Sequence, residues 1–483
     1  MLNEKSSDSP DAEGVGEIIN FGGIDERKVL RKMDLRLIPI MTLLYLLCFL
    51  DRGNIGNAKI EGLTEDLPLT GSQYNICLTV FFFPYALFEL PSNLVLAKLK
   101  PSIWLPTIMV GWGLVMTLMG IVRNYHGLLT ARVFLGLSES GLYPGVAFYL
   151  TKWYCRHEAQ LRQALFFSAA SVAGAFSGLL AFAIAKMDGV GSLDGWRWIF
   201  ILEGILTVVV ALFAFFITHD YPETATFLTE KERAWVIHRL KYQYSDTAVK
   251  QEKFQWRYVK ETFLDWQVYL AILTFYGIVC PLYGVSFFLP TIIRDLGYTS
   301  STAQLLTIPV YIIAAILAIG SALLSDRQGK RSPLLLFHMV CIIIGYIIVI
   351  AATGRGVPGV VYFGTFVIVA GIYPALPGNI TWLSNNLAPD HKRAAGIAIH
   401  VGIGNLSGAM ASNFYRTRDG PNYYLGHGLE LGFACLGLLS VVIQRTCYKS
   451  INEKREVQAG EHNYTPDELS KMGDKAPTFK YML

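Results

Sequence analysis

The chain of 483 residues is 53% hydrophobic and only 16% charged, with a mean hydropathy of +0.39. A soluble domain carries about 25% charged residues, and here the deficit runs through the whole middle of the chain, which excludes a soluble globular fold. The net charge of +4 is small and its basic residues fall between apolar runs, so a nucleic-acid partner is not expected.

The first thirty-odd residues are polar and acidic, then basic, without the apolar core of a cleaved signal peptide. Runs of about 20 apolar residues follow at 37–58, 73–97, 103–122, 128–150, 163–186, 197–217, 267–289, 303–324, 333–352, 359–383, 394–415 and 425–443. The expected fold is therefore an all-α polytopic membrane protein with twelve transmembrane helices in the lipid bilayer. Arg27, Lys28, Arg31, Lys32 and Arg36 precede the first span, and Arg445, Lys449, Lys454 and Arg455 follow the last. Lys231, Arg233, Arg239, Lys241, Lys250, Lys253 and Arg257 lie between the sixth and the seventh. The positive-inside rule places all three segments, and hence both termini, in the cytoplasm.

The central segment, 218–264, opens a polar helix at Thr229, an N-cap with Glu232 three residues on. A solvated linker helix is expected there, with Trp235, Val236 and Leu240 forming at most an apolar stripe. The tails before Gly22 and beyond Asn452 read as disordered. Glycosylation triplets at Asn379, Asn405 and Asn463 fall in spans or in a cytoplasmic tail and are discounted. Seven cysteines, mostly inside apolar runs, suggest neither a disulfide framework nor a metal site, and no cofactor is expected.

The chain repeats itself. Gly141-Leu142-Tyr143-Pro144 in the fourth span returns as Gly371-Ile372-Tyr373-Pro374 in the tenth, and Gly174-Ala175-Phe176-Ser177-Gly178 in the fifth as Gly404-Asn405-Leu406-Ser407-Gly408 in the eleventh. Both pairs are 230 residues apart, 371 − 141 and 404 − 174. Span n thus matches span n+6, which predicts two pseudo-symmetric six-helix bundles, 35–217 and 265–446, able to rock about a midplane site. The domain plan is completed by a cytoplasmic tail at 1–34, the linker at 218–264 and a second tail at 447–483. The small-residue stretches are read as close helix packing.

Charges inside the spans carry the functional signal. Arg132 and Glu139 lie seven residues apart in the fourth span, so at about 100° per residue they leave one helix face. An ionisable group costs at least about 2.5 kcal/mol in the bilayer core, so it faces a partner, a cavity or a transport path. At the repeat offset Arg132 falls on Tyr362 and Glu139 on Val369, so the architecture alone does not demand them. A purely structural ion pair is the competing reading. Asp51 and Arg52, with Asn54, follow only about 15 apolar residues and so sit inside the first span if it reaches the roughly 20 that a crossing needs.

Asp51-Arg52-x-Asn54, Arg132 with Glu139, and Ser325-Asp326-Arg327-Gln328-Gly329-Lys330-Arg331 together resemble the major facilitator superfamily and, within it, the anion:cation symporter family. The stretch from Gly195 to Gly204, and Ser384-Asn385-Asn386 followed by Lys392-Arg393, resemble the fungal branch of allantoate and nicotinate permeases. The resemblance spans about residues 30–450. It departs at Ala322, where the loop motif usually has Gly, and near Lys98-Leu99-Lys100, where the Asp-Arg pair is lost. It implies a monomer of the plasma membrane that imports a small carboxylate with protons, and it implies gating by Asp326, Arg327 and Arg331. Relatives that carry dicarboxylates often have an Arg in the seventh span; none occurs among Gln267 to Thr291, which favours a monocarboxylate.

With all four ionised, Asp51, Arg52, Arg132 and Glu139 sum to zero, so an anion enters neutrally only with one proton. The roles expected are substrate carboxylate on Arg52, the coupling proton on Glu139, tuning of Glu139 by Arg132, and gating or a second proton at Asp51. Asn54, Tyr85, Tyr283, Tyr373 and Asn405 are further candidates for lining the path, as is Tyr45, though Tyr and Asn also serve as interhelical glue. His400 is read as a hydrogen-bonding residue, Glu89 and Glu203 as paired near helix ends, and Glu430 is left open. A nutrient sensor of the same fold, or a proton-independent uniporter or exchanger, would share these features. An enzyme is not expected, since the chain shows no nucleophile with its base, phosphate loop or metal-ligand spacing.

Overall fold

Asp25 starts the first helix, its side chain accepting from the backbone N–H of Lys28 at 3.3 Å. The computed structural model describes residues 23–96, 99–242, 256–458 and 472–483. Helix α1 (Glu26–Ala58) continues through a wide turn at Lys59–Leu63. At 1.5 Å per residue it is about 50 Å long, more than the roughly 30 Å of hydrocarbon it must cross. The excess carries the basic residues of the expected tail. There follow α2 (Gly71–Val80), α3 (Phe82–Leu96), α4 (Pro101–Met119), α5 (Tyr125–Glu139), α6 (Leu142–Thr151), α7 (Arg156–Ala185) and α8 (Gly195–Ile217). After α9 (Glu230–Tyr242) and α10 (Trp256–Phe263) come α11 (Trp266–Asp295), α12 (Ser300–Gln328), α13 (Ser332–Ala352), α14 (Pro358–Asn386), α15 (Asp390–Ala411) and α16 (Tyr424–Gln458).

Among the described residues ten helical stretches are long and apolar enough to cross a membrane. The shorter α15, apolar over Ala395–Ala411, and the broken pair α5–α6 bring these to the expected twelve. The fourth span was expected as one helix but stops at Glu139. Gly141 adopts a φ of +91°, open to glycine, and a Cβ there would collide with Ser92. Its repeat partner Gly371 lies inside continuous α14, so the shared motif does not enforce the break.

Spans one to six pack together, α1 on α7 and α8 and α4 on α5 and α8; so do spans seven to twelve, α11 on α15 and α16 and α13 on α14 and α16. The seam between the bundles is formed by α7 against α12 and α14, α3 and α2 against α15, and α1 against α11. Small residues set its closeness: a Cβ on Gly174 would lie 2.8 Å from the Tyr311 ring, and one on Gly178 2.9 Å from the Gln304 carbonyl. The stretch read as packing does pack, across the seam.

Two expectations at the linker end are corrected. Thr229 and Glu232 do cap α9 reciprocally, the Thr229 N–H donating to Glu232 Oε2 at 2.8 Å and the Glu232 N–H to Thr229 Oγ1 at 3.4 Å. The helix is docked, however, not solvated: Trp235 and Val236 are buried, and Lys32–Glu232 and Arg239–Glu158 pairs tie it to α1 and α7 at 2.8 and 2.6 Å. Likewise α16 runs to Gln458, and residues 472–483 fold back on the second bundle. The Met482 carbonyl accepts from Trp382 Nε1 at 2.8 Å and Asn386 Nδ2 at 3.1 Å, and Tyr481 stacks on Tyr448. Aromatic side chains in a polar tail supply the buried face that composition alone hides. Asn463 lies outside the described residues, as does the tail before Gly22.

Lys392 fastens this segment, buried between Asp265 at 2.5 Å and Asp474 at 2.8 Å. Burial pulls its pKa down, but the two carboxylates outweigh this and hold it above the usual lysine range. Lys392→Met would strand two buried carboxylates, a change worth about 3–5 kcal/mol. A fall of several degrees in the melting temperature in detergent is expected, with faster proteolysis of residues 472–483; an unchanged melt would show that the cluster does not fasten them.

Candidate functional site

On α1, Cys48 and Arg52 are one turn apart and share a face, while Asp51 is rotated about 100° away. Both side chains on that face donate to the same oxygen: Cys48 Sγ reaches Glu139 Oε1 at 2.8 Å, and Arg52 Nε forms a close ion pair with it. Glu139 closes α5, where the partial negative charge of the helix terminus is unfavourable to a carboxylate. The guanidinium compensates that penalty. Arg52 Nη1 donates to the Tyr283 hydroxyl at 2.8 Å, and Tyr283 reaches Asn405 Oδ1 at 3.4 Å. A polar chain therefore runs from α5 through α1 to α11 and α15, crossing the seam. The ring of Tyr85 covers the guanidinium at 4.8 Å. Among the described residues Arg52 Nη2 and Glu139 Oε2 have no hydrogen-bond partner.

Arg132 is 1% exposed, but it is not the partner of Glu139. Its Nε donates to the Cys77 carbonyl at 3.1 Å and its guanidinium lies 4.9 Å from the Phe81 ring. Seven residues return to nearly the same helix face, yet two turns separate the groups by about 10 Å, and Arg52 fills the space at Glu139. Asp51 points into the first bundle, accepting from Trp112 Nε1 at 2.9 Å and Thr207 Oγ1 at 3.1 Å. Asn54 follows it there and donates to Glu203 at 2.8 Å. The sequence singled out these charges and missed which of them meet.

Two small chambers flank Arg52, of about 30 and about 20 Å³, and both are lined by Phe49, Arg52 and Tyr283. Tyr373 lines the first; Tyr85 and Asn405 line the second. Each has room for a water or two and no more. The site is closed at both ends. At the end away from the linker, Thr79 and Ser412 share a hydrogen bond of 2.8 Å and Gln304 donates to Glu61 at 3.2 Å. At the linker end Thr381 donates to Gln163 at 3.1 Å, and the Leu161 N–H donates to Asp326 Oδ2 at 3.2 Å. Arg331 backs Asp326 at 2.6 Å, whereas Arg327 is exposed.

The family model described as Major Facilitator Superfamily matches residues 41–412. The chain belongs to that superfamily. This facilitator is 38% identical over 455 residues to an uncharacterized transporter of Schizosaccharomyces pombe, covering 94% of this chain and 90% of the relative. It is 35% identical over 461 residues to a high-affinity nicotinic acid transporter of Saccharomyces cerevisiae, covering 95% and 85%. Among solved structures it resembles a proton:xylose symporter bound to 6-bromo-6-deoxy-D-glucose, with a TM-score of 0.64 at 16% identity over 86% of this chain and 96% of that one.

The facilitator also buries carboxyls that were expected elsewhere or left open. Glu203 lies inside α8, not near its end, and Glu89 does not pair with it. Glu89 and Glu430 are fully buried with no hydrogen-bond donor on either oxygen among the described residues. A lone Glu in each of three apolar spans was the available signal. His400 behaves as expected, bonded to the Ala271 carbonyl and Asn379 at 3.1 Å. A hydrogen bond to a charged group is worth about 1.5–3 kcal/mol. Tyr283→Phe should therefore loosen the closed form, raising peptide-mapped alkylation of Cys48 about tenfold or more; an unchanged rate would show that Tyr283 does not hold the bundles together.

Proposed function

We propose that this transporter imports a small organic monocarboxylate, a nicotinate-like vitamin or an allantoate-like acid, by proton symport through alternating access. The observation that carries the reading is Arg52, buried at the centre of the molecule with one N–H direction unpartnered and its charge shared with Glu139. A substrate carboxylate takes the planar fork of Arg52 in a bidentate contact. Glu139 is thereby displaced and left buried without a cation, which costs several kcal/mol unless it accepts a proton. Substrate and proton then enter as one neutral load. The rings of Phe49, Tyr85 and Tyr283 around the guanidinium suit a flat substrate, and a relative 35% identical carries nicotinic acid in its name. The absence of an Arg from Gln267 to Thr291 supports a single carboxylate.

In this reading the bundles 35–217 and 265–446, joined by 218–264, rock about the seam. Asp326 and Arg331 hold the linker end closed, and Arg132 and Asp51 set the electrostatic background from the layers behind the chamber. Both termini face the cytoplasm, the protein resides in the plasma membrane, and the monomer is the working unit.

The experiment is uptake of labelled nicotinate into proteoliposomes under an inward pH gradient, with a panel of small monocarboxylates as competitors. Acid outside should drive accumulation above equilibrium, and binding without uptake would identify a sensor instead. Glu139→Gln should abolish accumulation while retaining exchange; intact proton-driven accumulation would remove Glu139 from the coupling. Arg52→Lys keeps the charge but loses the fork, so uptake should fall about 10- to 100-fold, the equivalent of one charge-assisted hydrogen bond.

A further inference from the structure

Glu89 has no part in the mechanism above, yet it occupies the seam on which that mechanism depends. It lies on α3, one turn beyond Tyr85 toward the linker end, and is 1% exposed. Opposite it, across the seam, is the backbone of α15: a Cβ on Gly402 would stand 3.6 Å from Glu89 Oε2. Neither carboxyl oxygen meets a hydrogen-bond donor in good geometry, although Asn405 of α15 is close by. The titratable and charged groups around it are few. Arg52 approaches from α1, Tyr143 from α6 and Tyr85 from its own helix, with Glu139 beyond Tyr85 at the end of α5. On α2, Cys77 lies against Arg132, and α4 carries no charged residue. On α15, His400 is bonded to α11 and α14.

Arg52 is engaged with Glu139 through Nε and with Tyr283 through Nη1, and its remaining N–H direction, at Nη2, is the one offered to the substrate carboxylate. A second carboxylate in the same closed space would be an unmatched negative charge facing the α15 backbone, and that would oppose closure of α3 on α15. Parting of those helices would instead let water reach the carboxyl and solvate its charge. Closure therefore favours the proton-bearing form of Glu89, and opening allows the proton to leave.

Resting on the symport reading above, we propose that Glu89 carries a second proton in each cycle, taken up before α3 and α15 close and released when they part at the linker end. The balance is explicit. One monocarboxylate anion enters with two protons, one on Glu139 and one on Glu89, so each turnover moves one net positive charge inward. Transport then responds to membrane voltage, which the single-proton cycle does not.

The test uses the full-length protein in proteoliposomes, with the panel acid that gives the largest pH-driven uptake. A potassium diffusion potential, inside negative and imposed with valinomycin at equal pH, should raise initial uptake by the wild type several-fold. Glu89→Gln should lose that response while keeping stimulation by external acid, and its luminal acidification per acid molecule, read with a trapped pH dye, should fall to half. If wild-type uptake follows the pH gradient but ignores voltage, there is no second proton and the one-proton symport stands; if the Gln variant keeps the voltage response, the extra charge is carried by another group and not by Glu89. If wild-type uptake ignores the pH gradient altogether, the symport reading fails with it. Because the wild-type voltage measurement needs no variant, misfolding of Glu89→Gln cannot shield the proposal.

Discussion

One ion pair, Arg52 with Glu139, sets the terms for the rest of this molecule. A lone charge in the hydrocarbon layer is costly, and each of these groups makes the other tolerable. Glu139 needs the cation because it ends a helix whose carbonyls point the wrong way for an anion. Arg52 needs the anion because it lies at the centre of a closed bundle pair with aromatic rings over its face. Neither Arg132 nor Asp51 can take over either role, since Arg132 is turned behind Phe81 and Asp51 is held by Trp112 and Thr207.

The pair also joins the two bundles, through the hydrogen bond from Arg52 to Tyr283. Around it the seam is made of surfaces with little tolerance for change. Gly174 and Gly178 bring α7 onto α12 at spacings that leave no room for a Cβ. Such a seam is bistable, because a packed interface either closes or parts. A charge placed on it biases that choice. Each end is closed by a neutral hydrogen bond, Thr79 with Ser412 and Thr381 with Gln163, beside one that a carboxylate accepts, Gln304 to Glu61 and the Leu161 N–H to Asp326; such single bonds define a closed form and can exchange for water.

The linker end is built differently. Charge pairs there fasten segments outside the spans: Glu232 and Arg239 hold α9, and Lys392 with Asp265 and Asp474 holds residues 472–483 against the second bundle. These attachments each stay within one bundle, so the bundles can move as units with their attached segments.

Much was legible in the residues alone. Apolar length fixed the number of crossings, Thr229 with Glu232 announced a helix start, and the doubled Gly-x-Tyr-Pro and Gly-x-x-Ser-Gly stretches revealed the twofold plan, because each of these signals is local or periodic. Which charges are buried in apolar runs and must be neutralised was local too, since a charged residue in such a run has to be explained. Their partners were not. Arg52 meets Glu139 across 87 residues, and no periodicity within α5 could foretell that a different helix would supply the cation. The need for glycine at the Gly141 break depends on Ser92 standing opposite, and the docking of the polar tail depends on a groove between α14, α15 and α16 that exists only once they have packed. Covalent order determines which groups must be neutralised; three-dimensional packing decides by which neighbour, because desolvation is felt only where the chain has closed around them.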